Sequence, residues 1–161
     1  MRFEPWAVRR TRELFRSTHE TSLIDTNLLV YQYDHRFPSK QSRAVDLLRQ
    51  VIAHESAAIP YQAVIEFLPA VTRPLATGSP GLLDRSHALR EAEELLSQFE
   101  VYASTEGVIR LAIRAMSAYQ LSWFDAHIWA YAEHYGCAEI VSEDFADGQM
   151  IGSVKIRNPF K

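Results

Sequence analysis

Short apolar runs separated by longer helical stretches restrict the fold of this chain more than any other feature. Ser22-Leu23-Ile24, Ala57-Ala58-Ile59, Val101-Tyr102-Ala103 and Ile140-Val141 read as strands, with Val154-Lys155-Ile156 a short fifth. Leu28, Leu29 and Tyr31 begin a helical spacing that lasts to about Asp34 and that Pro38 breaks. Ser39 is placed to cap a helix carrying Ala44, Leu47, Leu48, Val51 and Ile52. Pro60 suits the start of the next helix, which holds Val64, Ile65, Phe67 and Leu68 and which Pro69 kinks. Arg73 to Gly81, with Pro74, Gly78 and Pro80, has loop composition. Further helices are expected over Leu82–Phe99, Thr105–Ala118 and Ser122–Tyr135, the last closed by Gly136. Strands alternating with helices give an α/β class with a mostly parallel sheet covered on both faces. Ligands in such sheets bind beyond the carboxyl ends of the strands.

Composition narrows the class further. A chain of 161 residues suits one domain and can bury a core without staples. We divide it into a basic extension, residues 1–21, and a single domain, residues 22–161. Arg2, Arg9, Arg10, Arg12 and Arg16 lie in the extension with no apolar run behind them, which is unlike a secretory signal. Trp6, Val8 and Phe15 would fit an amphipathic helix there. The extension reads as a loosely docked terminus, as a basic arm for RNA phosphates or a partner, or as the product of an upstream start codon. The net charge of −3 carries no global basic field, so a nucleic-acid partner must be held by local patches or by metal. The single cysteine, Cys137, excludes an internal disulfide and fits a reducing cytoplasm. No apolar stretch approaches the ~18 residues of a membrane span.

Carboxylates fall where this architecture puts its chemistry. Asp25 and Asp144 each follow a strand, Asp125 opens a helix, and Glu66 lies about a turn and a half into another. Each also has an ordinary structural role. Asp25 can cap the following helix, and Ser122 with Asp125 resembles a capping box. Glu66 shares a helix face with Gln62, Ala70 and Arg73 and can be solvated, and Asp144 can form an Asx-turn. Brought together, such carboxylates repel and raise one another's pKa unless a cation lies among them. Oxygen ligands without thiolates suit Mg²⁺ or Mn²⁺. Metal-dependent phosphodiester hydrolysis is the chemistry that follows.

Four segments carry a resemblance: Leu23-Ile24-Asp25-Thr26-Asn27-Leu28-Leu29-Val30-Tyr31, Ala63-Val64-Ile65-Glu66-Phe67, Trp123-Phe124-Asp125-Ala126-His127-Ile128-Trp129-Ala130-Tyr131-Ala132 and Glu139-Ile140-Val141-Ser142-Glu143-Asp144-Phe145-Ala146-Asp147-Gly148. Their order and spacing resemble the PIN-domain nucleases, and within them the VapC-type toxins of toxin–antitoxin pairs. Asn158-Pro159-Phe160 matches one branch of that family. The resemblance covers about residues 22–160 and implies a three-layer α/β/α sandwich with a mostly parallel central sheet. It implies that Asp25, Glu66, Asp125 and Asp144 surround one or two Mg²⁺ or Mn²⁺ ions, with Asn27 and Ser142 supporting them by hydrogen bonds. Asp147 would add a distal, water-mediated contact. Glu143 is left out, because it adjoins Asp144 and points the other way. The resemblance further implies an endoribonuclease acting on tRNA, rRNA or mRNA, silenced by a cognate antitoxin, and a homodimer with contacts near the Arg73–Gly81 loop.

Two features depart from the family pattern. The extension before Ser22 is longer than usual, and no Arg or Lys stands beside the acidic motifs, so substrate phosphates must be held elsewhere. Arg36, Lys40, Arg43, Arg110 and Arg114 are the candidates. His127 and His134, two turns apart on one helix face, have a spacing that could bind metal, but no H-x-x-x-H or thiolate accompanies them. No nucleophile elbow or glycine-rich phosphate loop is present. Trp123, Phe124, Trp129 and Tyr131 cluster near Asp125 and are either base-stacking or core residues. Two other functions compete. An aspartate-nucleophile phosphatase would need a second Asp two residues after Asp25, where Asn27 stands. A PIN-like scaffold would bind RNA or protein without cutting. The acids alone do not distinguish RNA from DNA.

Overall fold

The computed structural model describes residues 21–161. The readings placed on residues 1–20, including the helix with Trp6, Val8 and Phe15, lie outside the described residues. Thr21 is buried, and its carbonyl accepts a hydrogen bond from the Ala138 N–H at 3.0 Å.

Among the described residues six strands form one sheet: β1 (Ser22–Ile24), β2 (Ala57–Pro60), β3 (Glu100–Tyr102), β4 (Glu139–Val141), β5 (Met150–Ile151) and β6 (Val154–Arg157). Their spatial order is β3-β2-β1-β4-β6-β5. All pairings are parallel except β5 with β6. Six helices of the described residues cover the sheet: α1 (Thr26–Tyr31), α2 (Pro38–Ala53), α3 (Tyr61–Thr72), α4 (Arg85–Gln98), α5 (Glu106–Tyr119) and α6 (Trp123–Tyr135).

The strand period of two divides the core into halves. Leu23, Ala58, Ile140 and Ile156 pack with Val108, Ala112, Ala126 and Trp129 of α5 and α6. Their neighbours Ile24, Ile59 and Val141 pack instead with Leu28 and Leu29 of α1, Phe67 of α3 and Leu95 of α4. The result is the three-layer α/β/α sandwich with a mostly parallel sheet. β1 lies between β2 and β4, so the chain leaves it toward one side and later returns on the other. That reversal opens a crevice beyond the carboxyl ends of β1 and β4.

Several elements begin or end at residues other than those the local sequence signals predict. Pro38 does not break a segment; it is the first residue of α2, where its missing N–H costs nothing, and no side chain caps that helix. Pro60 ends β2 and stands at the N-cap of α3, just ahead of the helix. Ile65, expected on the apolar face of α3, is 59% exposed, and Val71 is buried in that helix. α4 starts at Arg85, capped by Asp84 accepting from the His87 N–H, rather than at Leu82. Strand β5 was missed because it has only two residues. Gly152, at φ 57, turns the chain from β5 into β6, and Trp129 Nε1 donates to the Ile151 carbonyl at 2.8 Å. Cys137 is buried among apolar neighbours, which push its thiol up to about 12.

Candidate metal-binding nuclease site

The crevice gathers residues from the chain after β1, from the loop after β4 and from helix α3. Asp25 leaves β1 directly, and its backbone N–H donates to the Val141 carbonyl at 3.1 Å, so its place is set by the sheet. Asp25 is only 7% exposed. Its Oδ1 accepts from the Thr26 N–H at 2.6 Å, so Asp25 also caps α1. Its Oδ2 accepts from the Ser142 hydroxyl at 2.6 Å and from Asn27 Nδ2 at 3.0 Å. Ser142 follows β4, is fully buried, and takes the Asp144 N–H on its Oγ at 3.1 Å. Asn27 Nδ2 also lies 3.1 Å from Asp144 Oδ2 and 3.3 Å from Ser142 Oγ. One amide thus ties the β1 loop to the β4 loop.

Glu66 approaches from α3. Thr26 Oγ1 donates to its Oε2 at 3.1 Å, and Gln62 Nε2 donates to its Oε1 at 2.6 Å. Asp25, Asn27, Glu66 and Asp144 line one cavity of about 500 Å³. Burial lifts the Asp25 carboxyl to about 6, and the Asp144 and Glu66 charges add to that rise while the Ser142 and Thr26 hydrogen bonds oppose it.

Asp125 is placed differently. Ser122 Oγ donates to its Oδ2 at 2.7 Å and accepts from its N–H at 3.2 Å, a reciprocal cap at the start of α6. Asp125 is not among the residues lining the cavity. Its helix does reach toward Glu66, whose charge raises the pKa of His127 against the larger lowering by burial. Asp147 accepts from the Asn158 N–H at 2.8 Å and lines a separate cavity with Arg43 and Lys155. Glu143 does point away from Asp144, toward Tyr31 and Lys40.

The basic candidates are mostly committed elsewhere. Arg36 binds Asp34 through Nε and Nη2 at 2.8 and 2.7 Å. Lys40 Nζ lies 2.5 Å from Glu143 Oε2 and 4.7 Å from the Tyr31 ring centre. Arg110 pairs with Glu106 at 2.6 Å on α5. The expectation that no cation stands beside the acids is corrected: Arg36 and Arg73 line the same cavity as Asp25 and Glu66. Arg73 was the residue missed, although its spacing from Glu66 along one helix face was the available signal. Around Asp125, Trp129 and Tyr131 are core residues, whereas Trp123 and Phe124 are exposed. His127 stacks on Tyr131, and His134 lies by Thr105, so the two do not converge.

The donor set suits a hard divalent cation. It consists of carboxylate oxygens with no thiolate, around a buried Asp whose charge has like charges for neighbours. Asn27 Oδ1 is buried with no hydrogen-bond partner among the described residues, an acceptor left for a ligand or ion. The fit is one of chemistry: among the described residues no three Asp, Glu, His or Cys side chains converge as a finished ion cage. The carboxylates are instead turned onto the donors named above.

A parallel sandwich with an acidic crevice at its switch point suits phosphoester chemistry. The chain belongs to the PIN domain family, whose model matches residues 22–146. No curated protein matches it in sequence. Among solved structures it is similar to FitAcB from Neisseria gonorrhoeae, at 21% identity and a TM-score of 0.63, over 87% of this chain and 99% of that one. A toxin–antitoxin complex from Klebsiella pneumoniae matches at 19% identity and a TM-score of 0.59, over 86% and 98%. VapC20 of Mycobacterium tuberculosis, a sarcin–ricin-loop-cleaving toxin, matches at 13% identity and a TM-score of 0.52, over 74% and 87%. At these identities the likeness is one of fold.

Proposed function

We propose that the chain is a Mg²⁺- or Mn²⁺-dependent endoribonuclease of the VapC type, held silent by a cognate antitoxin. The observation that carries this reading is the placement of Asp25, Glu66 and Asp144 on one cavity, with Asp25 buried and braced by Ser142 and Asn27.

Asp25, Glu66 and Asp144 are the residues that would hold the cation, and Asp125 would join from the start of α6 on leaving Ser122. A divalent ion there supplies Lewis-acid polarisation of a phosphodiester and a lowered pKa for water. The chain supplies the rest. Ser142 and Asn27 fix the rotamer of Asp25 by donating to Oδ2, as supporting partners of metal ligands do. Burial of Asp25 keeps its environment poor in water, which strengthens its pull on a cation. Gln62 and Thr26 hold Glu66 facing the same space.

RNA as substrate and an antitoxin as partner are supported by the fold shared with VapC20 and with a toxin from a toxin–antitoxin complex. Such a partner would place a cation or a blocking segment in the acidic crevice. Exposed apolar residues on α3 and α4, among them Ile65 and Leu89, are consistent with a homodimer. Among the described residues no helix is long and apolar enough to cross a membrane, and we place the site of action in the cytoplasm.

The deciding experiment incubates total bacterial RNA with antitoxin-free protein, with Mg²⁺ or Mn²⁺, beside Asp25→Asn. Discrete cuts that need the metal and vanish in the variant are expected. Absence of cleavage by folded protein with both metals would overturn the enzyme and leave the RNA- or protein-binding scaffold.

A further inference from the structure

An RNA backbone entering the cavity meets the carboxylates of Asp25, Glu66 and Asp144. Without a bound metal, phosphate retention there calls for a cation of the chain itself on the cavity wall. Two arginines line that wall, and their situations differ. Arg36 is already ion-paired, its Nε and Nη2 edge held by Asp34. Arg73 is exposed and has no carboxylate within ion-pair reach among the described residues.

The base of Arg73 is built rather than loose. Arg73 ends α3 seven residues after Glu66, which sets the two on one face about two turns apart. Its N–H donates to the Pro69 carbonyl at 3.1 Å. The chain then folds back on the helix end: the Leu83 N–H donates to the Val71 carbonyl at 2.9 Å, and Leu75 N–H to Pro80 at 3.2 Å. Gly81 lies so close beneath that a Cβ would sit 2.6 Å from the Thr72 carbonyl carbon and oxygen. At Gly81 no side chain fits between this loop and α3, so the loop clamps the turn that carries Arg73. The carboxyl end of α3 also favours a cation there.

We propose that Arg73 is the phosphate-binding residue of this site, holding the RNA backbone against the acidic cavity. The inference rests on the nuclease reading above, but its test does not need cleavage. The full chain carrying Asp25→Asn, in EDTA, is titrated with a short fluorescein-labelled single-stranded RNA of mixed sequence at several salt concentrations. Adding Arg73→Gln should weaken binding roughly tenfold and flatten the plot of log K against log salt by about 0.7, the share of one phosphate contact. Arg73→Lys should keep the slope, because the charge remains. Arg49→Gln, exposed on α2 outside the cavity, should leave the slope unchanged. With Asp25 restored and Mg²⁺ present, Arg73→Gln should raise KM far more than it lowers kcat.

An unchanged slope for Arg73→Gln, or an equal flattening by Arg49→Gln, would overturn the proposal even if the wild type cuts RNA. A flattened slope in a protein that never cuts RNA would keep Arg73 as a phosphate contact and remove the nuclease reading instead.

Discussion

The Ser142 hydroxyl donates a 2.6 Å hydrogen bond to Asp25 Oδ2, joining the loops that follow two neighbouring strands. This bond favours the charged form of Asp25, while burial and the Asp144 and Glu66 charges favour the neutral form and prevail, leaving the carboxyl at about 6. The balance has consequences for stability.

In the metal-free protein the folded state holds its Asp25 proton up to about pH 6, whereas the unfolded chain releases it near 3.8. Between those limits the folded state binds more protons, so stability falls as pH rises and then levels off above the folded pKa. The contribution of Asp25 to that fall is about 3 kcal/mol. Chemical denaturation in EDTA across pH 4 to 7 measures it, with Asp25→Asn expected to flatten the profile. Ser142→Ala should extend the fall to higher pH, because the bond that favours the charged form is gone.

Divalent cations should stabilise the protein at neutral pH and far less at pH 5, where protons compete for the same oxygens. Saturation at a hundredfold excess over Kd corresponds to about 2.7 kcal/mol, or a Tm rise of roughly 5–10 °C for a chain this size. Calorimetry with and without Mn²⁺ reads this shift. Asp144→Asn should remove most of it.

The Ser122–Asp125 cap separates folding from chemistry. Ser122→Ala should cost about 1 kcal/mol through the lost cap and leave metal-dependent RNA cleavage largely intact. Asp125→Asn should cost no more stability than that, yet lower cleavage at least a hundredfold if Asp125 turns toward the bound ion. Paired denaturation and cleavage assays distinguish the two roles.

Gly81→Ala should destabilise the chain by about 1–3 kcal/mol, because the new methyl would meet the backbone of α3 rather than a yielding side chain. Urea titration gives the cost. The same variant should weaken RNA binding in the Asp25→Asn background, since the clamp on the turn bearing Arg73 must shift.

Strand ends made Asp25 and Asp144 legible as neighbours, because a parallel sheet brings the ends of adjacent strands together whatever the distance in sequence. Glu66 was legible as a face of its helix, but not its contacts with Thr26 and Gln62, which depend on how α3 seats against α1. The Ser122–Asp125 cap was visible in the spacing; that its carboxylate stays on Ser122 depends on tertiary placement. Arg73 is legible on the Glu66 face of its helix, but that this face forms a wall of the acidic cavity depends on how α3 seats in the fold. Lys40 read as a free cation, and only the folded chain brings Glu143, Tyr31, Phe37 and Phe160 around it. β5 carries too few residues to announce itself.

The clamp beneath α3 makes the crevice a structure of two separately hung parts. Its floor comes from the ends of strands β1 and β4, whose loops are tied to each other and to the sheet. The wall bearing Arg73 hangs instead on the surface loop between α3 and α4. Strain placed in residues 73–84 would therefore displace that wall and leave the acids where the strands set them.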